Sequence, residues 1–68
     1  MIKVLIEIDS NSASFKNNSS IESKKICTDI YQMLVQIYES NSICLSKEIL
    51  DDNENKFGVI TVTQPLKD

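Results

Sequence analysis

Apolar and polar positions alternate through residues 2–8. Every even position is Ile or Val, while the odd positions are Lys3, Leu5 and Glu7. Strict alternation over this length predicts a β-strand with one buried face. Leu5 is the only apolar residue on the face that should meet solvent.

A different pattern, with helical spacing, covers residues 20–40. Eight of its apolar members fall within an arc of about 160° when each residue turns 100°, and they are Ile26, Cys27, Ile30, Tyr31, Met33, Leu34, Ile37 and Tyr38. Ser19 and Glu22 have the spacing of a capping box at the start of the helix. Asn41 suits the left-handed cap at its end. We therefore predict one amphipathic helix that covers a sheet.

Polar residues separate these two elements, and a β-hairpin follows them. Residues 9–18 are rich in Asp, Ser and Asn and predict a loop, in which Phe15 plugs the end of the core. Two β-rich segments within residues 43–63 flank the polar turn 51–56 and predict a hairpin. Pro65 should end strand pairing, because it has no amide hydrogen.

The predicted fold is α+β, a single two-layer β-α-β-β domain over residues 1–68. A right-handed crossover places the last strand in the middle of a three-stranded antiparallel sheet, with the helix on one face. Leu5, Phe57 and Val59 then lie on the uncovered face. We expect them to form a homodimer interface, with Tyr31 and Tyr38 at the helix margin. The alternative is three scattered, solvated side chains.

Size and charge narrow the function classes. A chain this short buries only about 60% of its unfolded surface, so an oligomer partner is the favoured supplement to a thin core. Ten acidic residues against seven lysines give a net charge of -3, and there is no Arg. This composition disfavours nucleic-acid binding, which depends on clustered cations.

The residue types that usually carry chemistry are scarce. The sequence has no His and one Gly, which disfavours acid–base catalysis, a phosphate-binding loop and a zinc site. Asp51-x-Asn53-x-Asn55 resembles the start of an EF-hand loop, but Lys56 and Val62 stand where that motif needs Gly and Glu. We predict no enzymatic activity, no cofactor and no metal site.

The cysteines and the apolar runs bear on location. Cys27 and Cys44 lie among apolar residues and are expected to be buried thiols, with a disulfide as the alternative. No signal-peptide pattern is present, and no apolar run approaches the ~18 residues of a membrane span. A soluble, cytoplasmic protein is expected.

Four carboxylates cluster around the hairpin turn: Glu48, Asp51, Asp52 and Glu54. They form either an acidic patch for a basic partner or simply a solvated turn.

Several short segments stand out along the chain: Ile6-Glu7-Ile8-Asp9, then Ala13 and Phe15, then the predicted helix, then Asp51-x-Asn53-x-Asn55-Lys56-Phe57-Gly58 and Val62. Together they resemble a pattern found in small proteins of phages and prophages. The hairpin turn of the pattern is Asp-x-Asn-Gly-Asn, and this chain departs from it at Glu54, where the pattern has Gly. The resemblance implies a β-α-β-β unit without catalytic residues. Small phage proteins often bind host proteins, including components of bacterial immunity.

The sequence and the resemblance together favour a homodimeric binding module that inhibits a host defence protein by steric and electrostatic occlusion. Two alternatives stay open. One is a protein that sequesters a small ligand between protomers, although the lack of Arg argues against an anionic ligand. The other is a structural accessory of a phage assembly.

Overall fold

Three strands and two helices make up residues 1–65, the part of the chain that the computed structural model describes. They are β1 (Lys3–Ile8), α1 (Ala13–Asn17), α2 (Ser19–Ser40), β2 (Cys44–Leu50) and β3 (Lys56–Thr63). The strands form one antiparallel sheet in the order β1-β3-β2. The predicted α+β fold with a central last strand is confirmed.

The strand register decides which side chains meet the helix. Val62 of β3 lies between Val4 of β1 and Leu45 of β2, and Ile60 lies between Ile6 and Lys47. Side chains opposite one another point to the same face, so these pairs share the helix side of the sheet. The core consists of Ile26, Met33, Ile37, Ile49, Phe57, Ile60 and Val62.

Helix α2 packs on β3 and β2 and leaves β1 uncovered. An ion pair of 2.8 Å between Lys47 Nζ and Asp29 Oδ1 fixes the helix on the β2 side. The prediction that the even face of β1 is buried is therefore wrong, since Ile2, Val4 and Ile6 are 39%, 41% and 40% exposed. A helix about 10 Å wide covers roughly two strands spaced about 4.8 Å apart, and β1 is the third.

The polar segment before α2 is not a simple loop. Residues Ala13–Asn17 form the short helix α1, in which the amide of Lys16 donates to the carbonyl of Ser12 at 3.0 Å. Phe15 packs against the core from this helix, as the sequence predicted. Packing of one aromatic ring thus orders a segment whose composition favours turns.

The two ends of α2 differ in how they match prediction. The capping box is wrong: α2 begins at Ser19, its N-cap Asn18 makes no side-chain cap bond, and Glu22 is buried with its carboxylate 3.3 Å from Lys25 Nζ. At the other end Asn41 takes the predicted left-handed conformation, with φ of 56°. Gln64 Nε2 also donates to the carbonyl of Ile37 at 3.0 Å, which ties the last turn to the sheet.

The hairpin turn contains a strained residue. The amide of Glu54 donates to Asp51 O, the amide of Asp51 donates to Asn55 O, and Glu54 has φ of 64°. This is the geometry of a three-residue loop, a turn followed by one left-handed residue, which normally goes to Gly. Glu54 thus occupies a position whose backbone conformation Gly adopts more readily.

We expect Glu54→Gly to stabilise the fold by about 0.5–1 kcal/mol, because Gly adopts the left-handed conformation without strain. The higher entropy of Gly in the unfolded chain offsets part of this gain. Thermal unfolding followed by circular dichroism should show a Tm a few degrees higher. The matched control is Asp52→Gly in the same turn, where φ is not positive and the change should be neutral or destabilising. A lower Tm for Glu54→Gly would contradict the turn geometry.

Gly58 sits where the three strands crowd together. A Cβ at this position would lie 2.5 Å from the backbone oxygen of Glu7 and 3.0 Å from Ile49 Cδ1. Because backbone of β1 has to move, Gly58→Ala should lower the free energy of unfolding by about 1–3 kcal/mol. Urea denaturation measures the loss, and Ser46→Ala on an exposed position of β2 serves as control. Equal urea midpoints for Gly58→Ala and Ser46→Ala would contradict this prediction, since β1 would then move away from the added Cβ at no cost.

Candidate interaction surfaces

The face of the sheet opposite the helix is largely polar. Leu5 and Val59 do lie on it, with Leu5 58% exposed and Val59 half-buried. Their neighbours on this face are Lys3, Glu7, Cys44, Ser46, Glu48, Thr61 and Thr63. The predicted patch therefore contributes two separate aliphatic side chains to a surface of charged and hydroxyl groups.

Phe57 is the one predicted interface residue that the structure removes from this surface. It is only 5% exposed and belongs to the core. The pairing of β2 with β3 skips it, because Leu50 is opposite Lys56 while Ile49 is opposite Gly58. A β-bulge of this kind re-aims a side chain. The simple alternation that placed Phe57 beside Val59 does not hold across the bulge.

A second group of exposed apolar side chains lies on the helix side of the molecule. Its members are Ile2, which precedes β1, Val4 and Ile6 of β1, and Tyr31, Leu34 and Tyr38 of α2, and we call it the β1–α2 surface. The tyrosines are 69% and 66% exposed, and Leu34 is half-buried. At 100° per residue these three helix positions lie on the flank away from Asp29, which faces β2. That flank is the one next to β1.

Sequence reasoning missed the β1 half of this surface. The even residues of β1 looked like core because strict alternation signals one buried face. The sequence carried one signal for this exposure: it predicts three strands but only one helix, and one helix is too narrow to cover three strands. Tyr31 and Tyr38 were predicted at the helix margin, and both are exposed there.

Both cysteines are free and exposed, so the prediction of burial is wrong. Cys27 lies on the α2 flank that also carries Tyr31. Cys44 lies on the polar face of the sheet, opposite Thr63.

Asp51 holds the hairpin turn together. Its Oδ1 accepts the backbone amides of Asn53 at 2.9 Å and Asn55 at 2.8 Å. Both bonds satisfy backbone donors within the loop. One of the four predicted acidic residues is thus committed to local structure.

Lysine side chains lie near two of the other three acidic residues. Asp52 Oδ1 lies 3.9 Å from Lys25 Nζ, and Glu48 Oε2 lies 3.9 Å from Lys56 Nζ. At this distance and exposure each pair contributes little to stability. The hairpin end keeps an excess of negative charge, with Asp52 and Glu54 the most exposed to solvent.

Neither a metal centre nor a membrane span can be built from the described part of the chain. Residues 1–65 bring no three His, Cys, Asp or Glu side chains into an arrangement that could hold a metal ion. Within the same residues, neither helix combines the length and apolar character needed to cross a bilayer.

Comparison of this chain with protein-family models, with curated proteins and with solved structures finds no match.

Asp51 and its neighbour Asp52 give a matched pair of variants. Asp51→Ala leaves two backbone amides without their acceptor and should cost about 1–2 kcal/mol of unfolding free energy. Asp52→Ala removes only an exposed charge and should change it by less than about 0.5 kcal/mol. Urea denaturation compares them. Equal losses would mean that the turn does not depend on the Asp51 carboxylate.

Proposed function

We propose that this chain is a small protein-binding module that forms a homodimer and acts by occupying a surface on a second protein. The observation that carries the proposal is the β1–α2 surface. A strand and a helix flank side by side expose aliphatic and aromatic side chains, and contiguous surfaces of this kind on small proteins mark interaction sites.

The size of the chain adds weight to self-association. Its core consists of seven buried apolar side chains, and folds of this length are marginal alone. Each Å² of apolar surface removed from water contributes about 25 cal/mol. Covering the half-exposed residues of β1 with a second copy would therefore supplement the core where it is thinnest.

The acidic hairpin end is the proposed contact with the second protein. Asp52 and Glu54 project from the turn, and the net charge of the whole chain is -3. A negative tip favours encounter with a basic site and steers its approach. The same charge disfavours nucleic acid as a partner.

The resemblance to small phage proteins supplies the expected partner class, a bacterial host protein of the defence system. The proposed mode of action is inhibition by occlusion in the host cytoplasm: bound protein covers a basic functional surface. The role needs no catalytic residue and no cofactor.

The test is affinity capture from a bacterial host lysate, followed by binding measurements with the purified captured protein. Neutralising the tip with Asp52→Asn and Glu54→Gln should weaken binding about tenfold, because opposite-charge contacts are lost. Glu39→Gln, an exposed acid at the far end of α2, should leave binding unchanged. Wild-type affinity should also fall as salt rises.

Specific capture of no host protein would count against the binding function. Equal affinity of the wild type and the neutralised variant would remove the acidic tip from the contact.

A further inference from the structure

The sheet has two edge strands, and they differ in how open they are. The bulge that Phe57 forms in β3 interrupts its pairing with β2 between Ile49 and Leu50, and the added twist disfavours regular pairing of the β2 edge with another chain. β1 pairs with β3 without interruption from Lys3 to Ile8. Its other edge is regular and meets no strand within residues 1–65.

The backbone groups that this edge presents follow from one hydrogen bond. The amide of Asp9 donates to the carbonyl of Phe57 at 2.7 Å, so Asp9 directs its backbone groups toward β3. Because these groups alternate along an antiparallel strand, the odd residues of β1 also bond β3. Val4 and Ile6 direct their amides and carbonyls outward.

We propose that two copies of this chain pair through β1, antiparallel, with Leu5 opposite Leu5 of the second copy. This register places Lys3 opposite Glu7 of the second copy and, by the two-fold symmetry, Glu7 opposite Lys3. It also places Val4 opposite Ile6, and these are the residues with free backbone groups. The inference deepens the proposed function, on which it rests, by assigning the homodimer to one edge.

Charge complementarity selects this register. A two-fold axis normal to the sheet keeps both helices on one side, so a pair must join residues of equal parity. Centring the pair on Val4 instead would set Lys3 against Leu5, and centring it on Ile6 would set Leu5 against Glu7. Only the register centred on Leu5 gives two opposite-charge pairs around one apolar pair, and opposite-charge cross-strand pairs are favourable.

Charges on an edge strand usually prevent pairing. Here their signs are opposite and their positions are symmetric about Leu5, so the strand pairs its charges with those of a second copy in this register and loses both pairs in the two shifted registers.

The helix side of the proposed dimer is apolar. Each copy contributes Ile2, Val4, Ile6 and Ile8, which would form one continuous row along the joined strands. The half-exposed Ile2, Val4 and Ile6 would lie beside Ile8, Ile6 and Val4 of the second copy. The two α2 flanks, with Tyr31 and Tyr38, would stand on either side of this row.

Sedimentation velocity across a concentration series tests the pairing. The wild type should dimerise. Lys3→Glu and Glu7→Lys should each raise the dissociation constant at least about tenfold, because each places two like-charge pairs across the interface. The double variant Lys3→Glu/Glu7→Lys should return to the wild-type value. Lys24→Glu and Glu39→Lys, matched changes on exposed helix positions, should have no effect.

Mixing the two single variants is the sharper test. The Lys3→Glu chain has two acidic positions on β1, and the Glu7→Lys chain has two basic ones, so all charge pairs become opposite only in the mixed dimer. A mixture should associate at least as tightly as the wild type. Hydrogen exchange should show the amides of Val4 and Ile6 protected above the dissociation constant.

The outcomes separate this inference from the proposed function. A dimer that ignores both charge reversals overturns the β1 register and leaves the homodimer intact. A monomer at millimolar concentration overturns the homodimer altogether, and host-protein capture is then decided by its own assay.

Discussion

One helix about 10 Å wide lies against a sheet three strands across, and this mismatch determines most of what the molecule exposes. The helix can cover only two of the three strands. The Lys47–Asp29 ion pair and the core residues of β2 and β3 hold it on that side. Within the core, Ile8 alone of β1 packs against the buried residues; the strand is otherwise held by pairing with β3, and Val4 and Ile6 are left half in solvent.

The bulge near the hairpin reduces the apolar surface on the face of the sheet opposite the helix. By skipping Phe57 in the pairing of β2 with β3, it brings the largest side chain of β3 into the core. The same shift removes the aromatic ring from the open face. What remains there is Leu5 and the half-buried Val59 among charged and hydroxyl neighbours, so apolar association through that face has little surface to bury. The apolar surface available for association therefore lies at the β1 edge.

Sequence periodicity predicted the elements well and their lateral placement poorly. Alternation in residues 2–8 and the helical spacing in 20–40 identify a strand and a helix, because each pattern reports the period of one element. The left-handed Asn41 also follows from residue type. Neither pattern contains the sideways offset of the helix over the sheet, so the exposure of Val4 and Ile6 was not predictable from it.

Other errors have local causes. Phe57 was misplaced because a bulge adds one residue to a period of two. The capping box failed because Glu22 turns inward to Lys25, and α1 was missed because its order comes from the packing of Phe15. In each case a tertiary contact overrode a local preference.

The exposure of β1 and the small size of the core have the same cause. Within residues 1–65 neither α1 nor α2 packs against β1, so the edge must either repel another copy or be matched to one. Placing like charges at Lys3 and Glu7 would have made it repulsive to its own copy. Opposite signs at equal distances from Leu5 do the reverse, and they do so on the strand whose outward backbone groups belong to Val4 and Ile6, each with about two fifths of its side chain exposed.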